Sequence, residues 1–188
     1  MQSIIVGVLG RIGGGKGTAA RYLHEKYGFH IISMGDMVRD EAVKRGIKKT
    51  RENLQKLSTG LRLKYGQDYF CKQALSRIQK QKIERVIIDG IRSTLEYKFW
   101  KENVPYFVLI RIDADKKIRF ERLKKRGGSR APRTWTDFLD QEKGEDKLYP
   151  GSFDQFLSLS DYNIENNSTG KVLQNNLDIL MHKLKIFK

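Results

Sequence analysis

The chain has 188 residues, 39% of them hydrophobic and 31% charged, the composition of one globular domain with a sizeable core. A single cysteine, Cys71, excludes an internal disulfide framework, and the absence of Cys/His clusters argues against structural zinc. A formal net charge of +15, from 37 basic against 22 acidic side chains, leaves two classes of partner in competition: nucleic acid, or a substrate carrying several phosphates. The opening Met1-Gln2-Ser3 lacks a basic leader, and no apolar run reaches the length of a membrane span, so a soluble cytoplasmic protein with no membrane partner is expected.

Residues 4–9 are apolar without alternation and predict a fully buried parallel strand. A helix is predicted over 18–27, stopped near Gly28, and a short second strand over 29–33. Helices follow over 36–44, ending at Gly46, over 51–65 with Thr50 as cap and Gly66 as stop, and over 69–79 with Asp68 as cap. The third buried strand is 86–89, followed by a helix over 94–102, Pro105 in a turn, and a fourth strand over 106–112. A basic amphipathic helix spans 115–126 and breaks at Gly127-Gly128. Beyond it lie a helix over 135–143, a loop at 149–152, a short fifth strand over 161–164, a turn at 166–170 and a closing helix over 171–185. Strands alternating with helices mean an α/β fold, a parallel sheet with helices on both faces and ligands at the carboxyl ends of the strands. The all-helical stretch 34–82 is too long for a simple crossover and is expected to form a substrate-binding lobe on a core of 1–33 and 83–188.

Between the first strand and the first helix runs Gly10-Arg11-Ile12-Gly13-Gly14-Gly15-Lys16-Gly17-Thr18. Strand, glycine-rich turn, lysine and helix form the context of a phosphate-binding P-loop. Backbone N–H groups of Gly13, Gly14, Gly15 and Gly17 can curl around an anion, and the helix N-terminus points its positive end at the same place. Lys16 supplies a mobile charge for the outer phosphates, and Thr18 a hydroxyl for Mg²⁺. Arg39, early on the helix after strand two, and Arg92, just after strand three, present guanidinium groups that bind phosphate bidentately. Asp89 ends an apolar strand, where a carboxylate needs a cation nearby; it reads as a water-mediated Mg²⁺ ligand or as a turn aspartate. Arg122 and Arg126 share one helical face amid other basic residues, and Arg130 and Arg133 lie beyond the Gly-Gly break. Gln55, Thr59 and Arg62 fall on one face of the 51–65 helix, either to read a base or ribose or as an exposed polar face. The scattered His24, His30 and His182 carry no catalytic assignment, and Phe99, Trp100, Phe107 and Phe120 read as core.

Several segments resemble one superfamily. Phe29-His30-Ile31-Ile32-Ser33-Met34-Gly35-Asp36-Met37-Val38-Arg39 resembles the nucleoside-monophosphate-binding segment of adenylate kinases. Val86-Ile87-Ile88-Asp89-Gly90-Ile91-Arg92 resembles the same family's aspartate-glycine-x-x-arginine segment, with Ile91 where proline is usual. The stretch from Asp161 to Asn167 is similar to the ending of dephospho-CoA kinases and archaeal adenylate-kinase-related proteins, and that from Thr50 to Gln55, with Gly66-Gln67-Asp68, to deoxynucleoside monophosphate kinases of the phage type. Gly17 between Lys16 and Thr18 is likewise closer to adenylate kinases than to GTPases. The resemblance to P-loop nucleoside monophosphate kinases implies a five-stranded parallel sheet ordered 2-3-1-4-5, and ATP and Mg²⁺ as cofactors. It further implies phosphoryl transfer to a nucleoside or deoxynucleoside monophosphate. It makes Lys16, Arg39, Arg92, Arg126, Asp36 and Asp89 the catalytic set, and Arg39 and Arg92 the holders of the acceptor phosphate. Arg122 would pack on adenine, Asn166 and Asn167 would form the adenine-side loop, and residues of about 126–150 would close as a lid. Gly35 favours a phosphate acceptor, with Asp36 organising Mg²⁺ waters. A dephospho-CoA kinase-type hydroxyl acceptor would instead make Asp36 a general base. A nucleic-acid-associated ATPase is a third and less favoured reading, since no recognition module accompanies the charge.

Overall fold

The computed structural model describes residues 3–128, 131–146 and 153–186. Its strands, β1 (Ile4–Leu9), β2 (His30–Ser33), β3 (Arg85–Asp89), β4 (Tyr106–Asp113) and β5 (Tyr162–Glu165), form one all-parallel sheet ordered β2-β3-β1-β4-β5 and flanked by helices, as expected. The chain divides into two compact units. The first comprises His30–Phe107 with the start of β1, and the second Val8–Phe29 with the chain from Val108 onward.

In the first unit β2 and β3 pair in parallel, from His30 opposite Val86 to Ser33 opposite Asp89. Val86, Ile87 and Ile88 are fully buried, which is why this strand lacks alternation. Ser33 ends β2 and at once caps α2 (Met34–Lys44), its Oγ accepting the Asp36 N–H at 3.2 Å. That cap starts the helix two residues earlier than the sequence pattern indicates. Thr50 caps α3 (Arg51–Tyr65) as anticipated, at 3.3 Å from the Asn53 nitrogen. Asp68 precedes α4 (Tyr69–Gln81) without a side-chain cap and pairs with Lys72 at 2.9 Å instead. Phe70, Cys71, Ala74 and Ile78 form the buried face of α4, and burial raises the Cys71 thiol pKa. Trp100 of α5 (Thr94–Asn103) is buried and stacks on Phe107.

In the second unit β4 and β5 pair in parallel, from Ile110 opposite Tyr162 to Asp113 opposite Glu165. The first helix, α1 (Lys16–Tyr27), ends on left-handed Gly28, whose N–H returns to the His24 carbonyl. The closing helix, α9 (Gly170–Lys183), is clasped to α1 by Asp178. Its carboxylate accepts from the Tyr22 hydroxyl at 2.7 Å, the Tyr27 hydroxyl at 2.8 Å and the Lys26 ammonium at 2.7 Å. Leu23, Leu109, Leu177 and Met181 lie in this unit's core. The basic helix α6 (Lys116–Arg126) is followed by α7 (Trp135–Asp146), whose Phe138 is fully buried beside Phe120 and Trp135. Thr134 and Asp137 form a capping box at the start of α7, Asp137 accepting the Arg133 and Thr134 N–H groups at 3.0 and 2.9 Å and returning its own N–H to Thr134. A short α8 (Phe153–Leu157) was not anticipated; the loop expected at 149–152 lies outside the described residues. Among the described residues no helix is long and apolar enough to cross a membrane.

Candidate active site

The glycine loop after β1 is packed from behind. Gly13 has φ +80°, and a Cβ there would lie 2.8 Å from the Arg119 carbonyl oxygen. Gly15 has φ +112°, and its Cβ would lie 2.3 Å from Asn166 Nδ2. Both positions therefore demand glycine on conformational and on steric grounds. Gly14 is buried, whereas a Cβ at Gly17 would meet none of the described residues within 4 Å. Lys16 stands at the first position of α1, earlier than the predicted start at residue 18. Its ammonium donates to the Gly10 carbonyl at 2.6 Å and the Arg11 carbonyl at 3.0 Å, so the charge is held over the loop. Thr18 is exposed in the first turn. A helix N-terminus, a lysine and a curled glycine backbone are thus assembled in one place.

Asn166 and Asn167, at the end of β5, serve the same unit. Asn166 is 6% exposed; its amide donates to the Gly14 carbonyl at 2.9 Å, and its own N–H to Asp113. Asn167 Oδ1 accepts the Asp115 N–H at 2.8 Å, at the start of α6. On α6, Arg122 donates to the Ser168 carbonyl at 3.2 Å, and its other terminal nitrogen is buried with no hydrogen-bond partner among the described residues. Desolvation lowers the pKa of that guanidinium. Arg126, one turn on, is exposed, as is Arg133; Arg130 lies outside the described residues. Of the segment 126–150, residues 129–130 and 147–150 are likewise outside them, while α7 is anchored by buried Phe138 and Glu142.

Within the first unit, Asp36 and Arg39 are joined as an ion pair one turn apart on α2, both substantially exposed. A Cβ on Gly35 would lie 3.4 Å from Arg39 Nη1. Asp89 ends β3 half-buried, and its carboxylate makes no hydrogen bond or ion pair with the described residues. The Arg92 guanidinium is exposed and equally unengaged, while its backbone N–H donates to Glu96 Oε2 at 2.7 Å. Arg62 meets the other oxygen of Glu96 at 2.8 Å and lies over the Phe70 ring at 5.1 Å. Glu96 is 1% exposed, so Arg62 is committed to a buried pair that braces the Arg92 turn. Gln55 and Thr59 on the same helix are exposed and take no part in that pair.

Sequence reasoning missed two buried carboxylates, Glu96 and Glu142, and the arginine that Glu142 holds. Arg119 is 2% exposed and pairs with Glu142, itself 5% exposed. Arg119 and Leu123, four residues apart, form the buried face of α6, with Arg122 and Arg126 on another. The spacing carried that signal, but several arginines compete for it.

A family profile described as an AAA domain matches residues 9–138. A UPF0200 protein of Pyrococcus horikoshii is 35% identical over 189 aligned positions, covering 96% of this chain and 97% of the relative. Among solved structures, one from Thermus thermophilus superposes with a TM-score of 0.61 at 19% identity, over 98% of this chain and 99% of its own. A shikimate kinase from Acinetobacter baumannii, solved with shikimate, gives 0.54 at 16% identity, over 98% and 96%. These structural likenesses establish a shared fold, that of the P-loop kinases, and the sequence match goes further: the chain belongs to the UPF0200 family.

Proposed function

We propose that the protein transfers the γ-phosphoryl group of ATP to a nucleoside or deoxynucleoside monophosphate. The observation that carries this reading is the glycine loop, with its sterically obligate Gly13 and Gly15 and with Lys16 held over it. Phosphoryl transfer is catalysed by positioning and by cations on both the donor and the acceptor phosphates. On this reading the N–H groups from Gly13 to Thr18 bind the outer phosphates of ATP, and Lys16 exchanges its carbonyl contacts for phosphate oxygens. Arg122 serves the nucleotide from α6, with the turn at Asn166 and Asn167 on the adenine side. Arg126 adds charge at the transferring group. Arg39 and Arg92 hold the phosphate of an acceptor bound by the lobe of residues 34–82. Gly35 leaves room beside Arg39, Gln55 contacts the acceptor, and Arg62 acts through Glu96 on the Arg92 turn.

The Thr18 hydroxyl and the unengaged Asp89 carboxylate are hard oxygen donors of the kind Mg²⁺ takes. Mg²⁺ bound with the triphosphate would neutralise charge on its β and γ oxygens. A phosphate acceptor is already deprotonated, so Asp36 then needs no proton-abstracting role and orders the Arg39 guanidinium. The exposed Asp36 carboxylate also favours a second reading, transfer to a small-molecule hydroxyl with Asp36 as general base. A coupled assay of ADP release over a panel of nucleoside monophosphates, deoxynucleoside monophosphates and dephospho-CoA tests both. Acceptor-dependent turnover that disappears in Lys16→Ala is the expected result. ATP binding without turnover on any acceptor would overturn it. Near-total loss in Asp36→Asn selects the hydroxyl acceptor, and mild loss the phosphate.

A further inference from the structure

Arg119 and Glu142 form a charged pair in the interior of the second unit, and the glycine loop leans on it. Arg119 donates from Nε to the Ala114 carbonyl at 2.7 Å and from Nη1 to the Ile12 carbonyl at 3.2 Å. Its guanidinium lies 5.3 Å from the centre of the Phe138 ring, and Asp113 Oδ1 is 3.6 Å from Nε. The missing side chain of Gly13 lets the loop press against the Arg119 backbone. Glu142, one helix away, pairs with Arg119 Nη1 and also lies 3.8 Å from Arg11 Nη1 and 3.8 Å from Lys116 Nζ. At 2% exposure Arg119 cannot reach a ligand, so any effect it has on one passes through the loop backbone.

The geometry of the peptide group says what that effect is. In a trans peptide the C=O of one residue and the N–H of the next point in opposite directions. Drawing the Ile12 carbonyl towards Arg119 therefore turns the Gly13 N–H away from Arg119. Asn166 does the same at the next link but one: it draws the Gly14 carbonyl and so turns the Gly15 N–H the other way. We propose that Arg119 and Glu142 are positioning residues for polyphosphate binding, fixing from behind the orientation of the loop N–H groups that receive the anion. This rests on reading the segment from Gly10 to Thr18 as the ATP-phosphate loop.

The test is calorimetric titration with Mg-ATP and with tripolyphosphate, which carries the phosphates without the base. The variants are Glu142→Gln, Arg119→Lys, and a double change of Arg119→Met with Glu142→Leu that removes both buried charges and so avoids stranding one. A control, Leu180→Ala, destabilises the same unit through a buried side chain on α9, a helix that contributes nothing to the Arg119 pair. The expected result is about a tenfold loss of affinity for both ligands in each folded variant, the scale of one mispositioned hydrogen bond, with the control unchanged. Should the single variants not fold, the double variant decides. Affinity for tripolyphosphate within twofold of the unsubstituted protein in any folded variant would overturn the inference, as would an equal loss in the control. Failure of the unsubstituted protein to bind either ligand would overturn the loop reading and this inference with it.

Discussion

Gly15 and Gly17 flank Lys16, look alike in the sequence, and should respond to alanine in opposite ways. At Gly15, φ is +112° and the new methyl would lie 2.3 Å from Asn166 Nδ2. Holding a non-glycine residue in that conformation costs about 1–2 kcal/mol. Displacing Asn166 breaks its 2.9 Å bond to the Gly14 carbonyl and leaves buried polar groups unmatched, about 1–3 kcal/mol more. The sum is about 2–5 kcal/mol, and at about 2–4 °C per kcal/mol for a chain of this size Tm should fall by roughly 4–20 °C. At Gly17 the methyl enters open space inside the first turn of α1, where replacing glycine stabilises a helix by about 0.5–1 kcal/mol and Tm should rise by roughly 1–4 °C. Far-UV circular dichroism melts of the two variants give the first measurement. Melts with excess ATP give the second, since ligand at about 100 times Kd adds about 2.7 kcal/mol to the stability of a protein that binds it. Gly15→Ala should lose most of that increment. A Gly15→Ala protein that melts within a degree of the parent and keeps its full ATP shift would refute the packing argument. A marked fall in Tm for Gly17→Ala would refute the claim of open space.

Glu96→Ala strands Arg62 beside Phe70 and frees the Arg92 turn; breaking one partner from a buried pair costs about 3–5 kcal/mol, so chemical denaturation should show a large fall in midpoint at unchanged slope. Asp137→Asn tests the capping box of α7. Hydrogen bonds from the Thr134 backbone and side chain, then from Arg133, hold the Asp137 carboxyl below its ordinary value of 3.8. A depressed folded pKa gives stability that is complete above the unfolded value and disappears as pH falls through the folded one. The Tm difference between parent and Asp137→Asn should therefore be present at about pH 6 and shrink steadily below about pH 4; a gap that stays constant would contradict it. Asp178→Asn should behave similarly: desolvation opposes its charge, but donors from Lys26, Tyr22 and Tyr27 outweigh that and lower its pKa. Its loss should lower Tm at neutral pH and matter little in strong acid.

The glycine loop was legible because its residues carry their own constraints. Glycine tolerates positive φ, lysine is a charged donor, and both stood in order between an apolar run and a helix. The buried strands were legible for a similar reason: Val86, Ile87 and Ile88 have no polar alternative to the interior. The ion pairs were not, because their partners are remote in sequence. Arg62 reads as a candidate contact for a base on an exposed face until Glu96, 34 positions away, is seen to hold it. Arg119 reads as one basic residue among many until Glu142 is found 23 positions on. Asn166 and Asn167 read equally as a turn or a nucleotide loop. Their side chains brace the Gly14 carbonyl and the start of α6, which no local pattern encodes. The short α8 escaped because five residues contain too little periodicity to register.

The second unit is discontinuous along the chain, and this has a consequence for the order in which the molecule comes into being. Gly14 and Asn166, which touch in the folded protein, are 152 positions apart, and Tyr22 and Asp178 are 156 apart. At about 5–20 residues per second, a ribosome delivers the glycine loop roughly 8–30 s before its asparagine brace. Over that interval His30–Phe107 can collapse around its own strands and helices, while the loop and α1 wait for the rest of their unit. The shape of the glycine loop is then among the last properties the nascent chain acquires, although its residues are among the first to be made. A product truncated before β5 would carry the whole glycine motif and lack the asparagine that braces it.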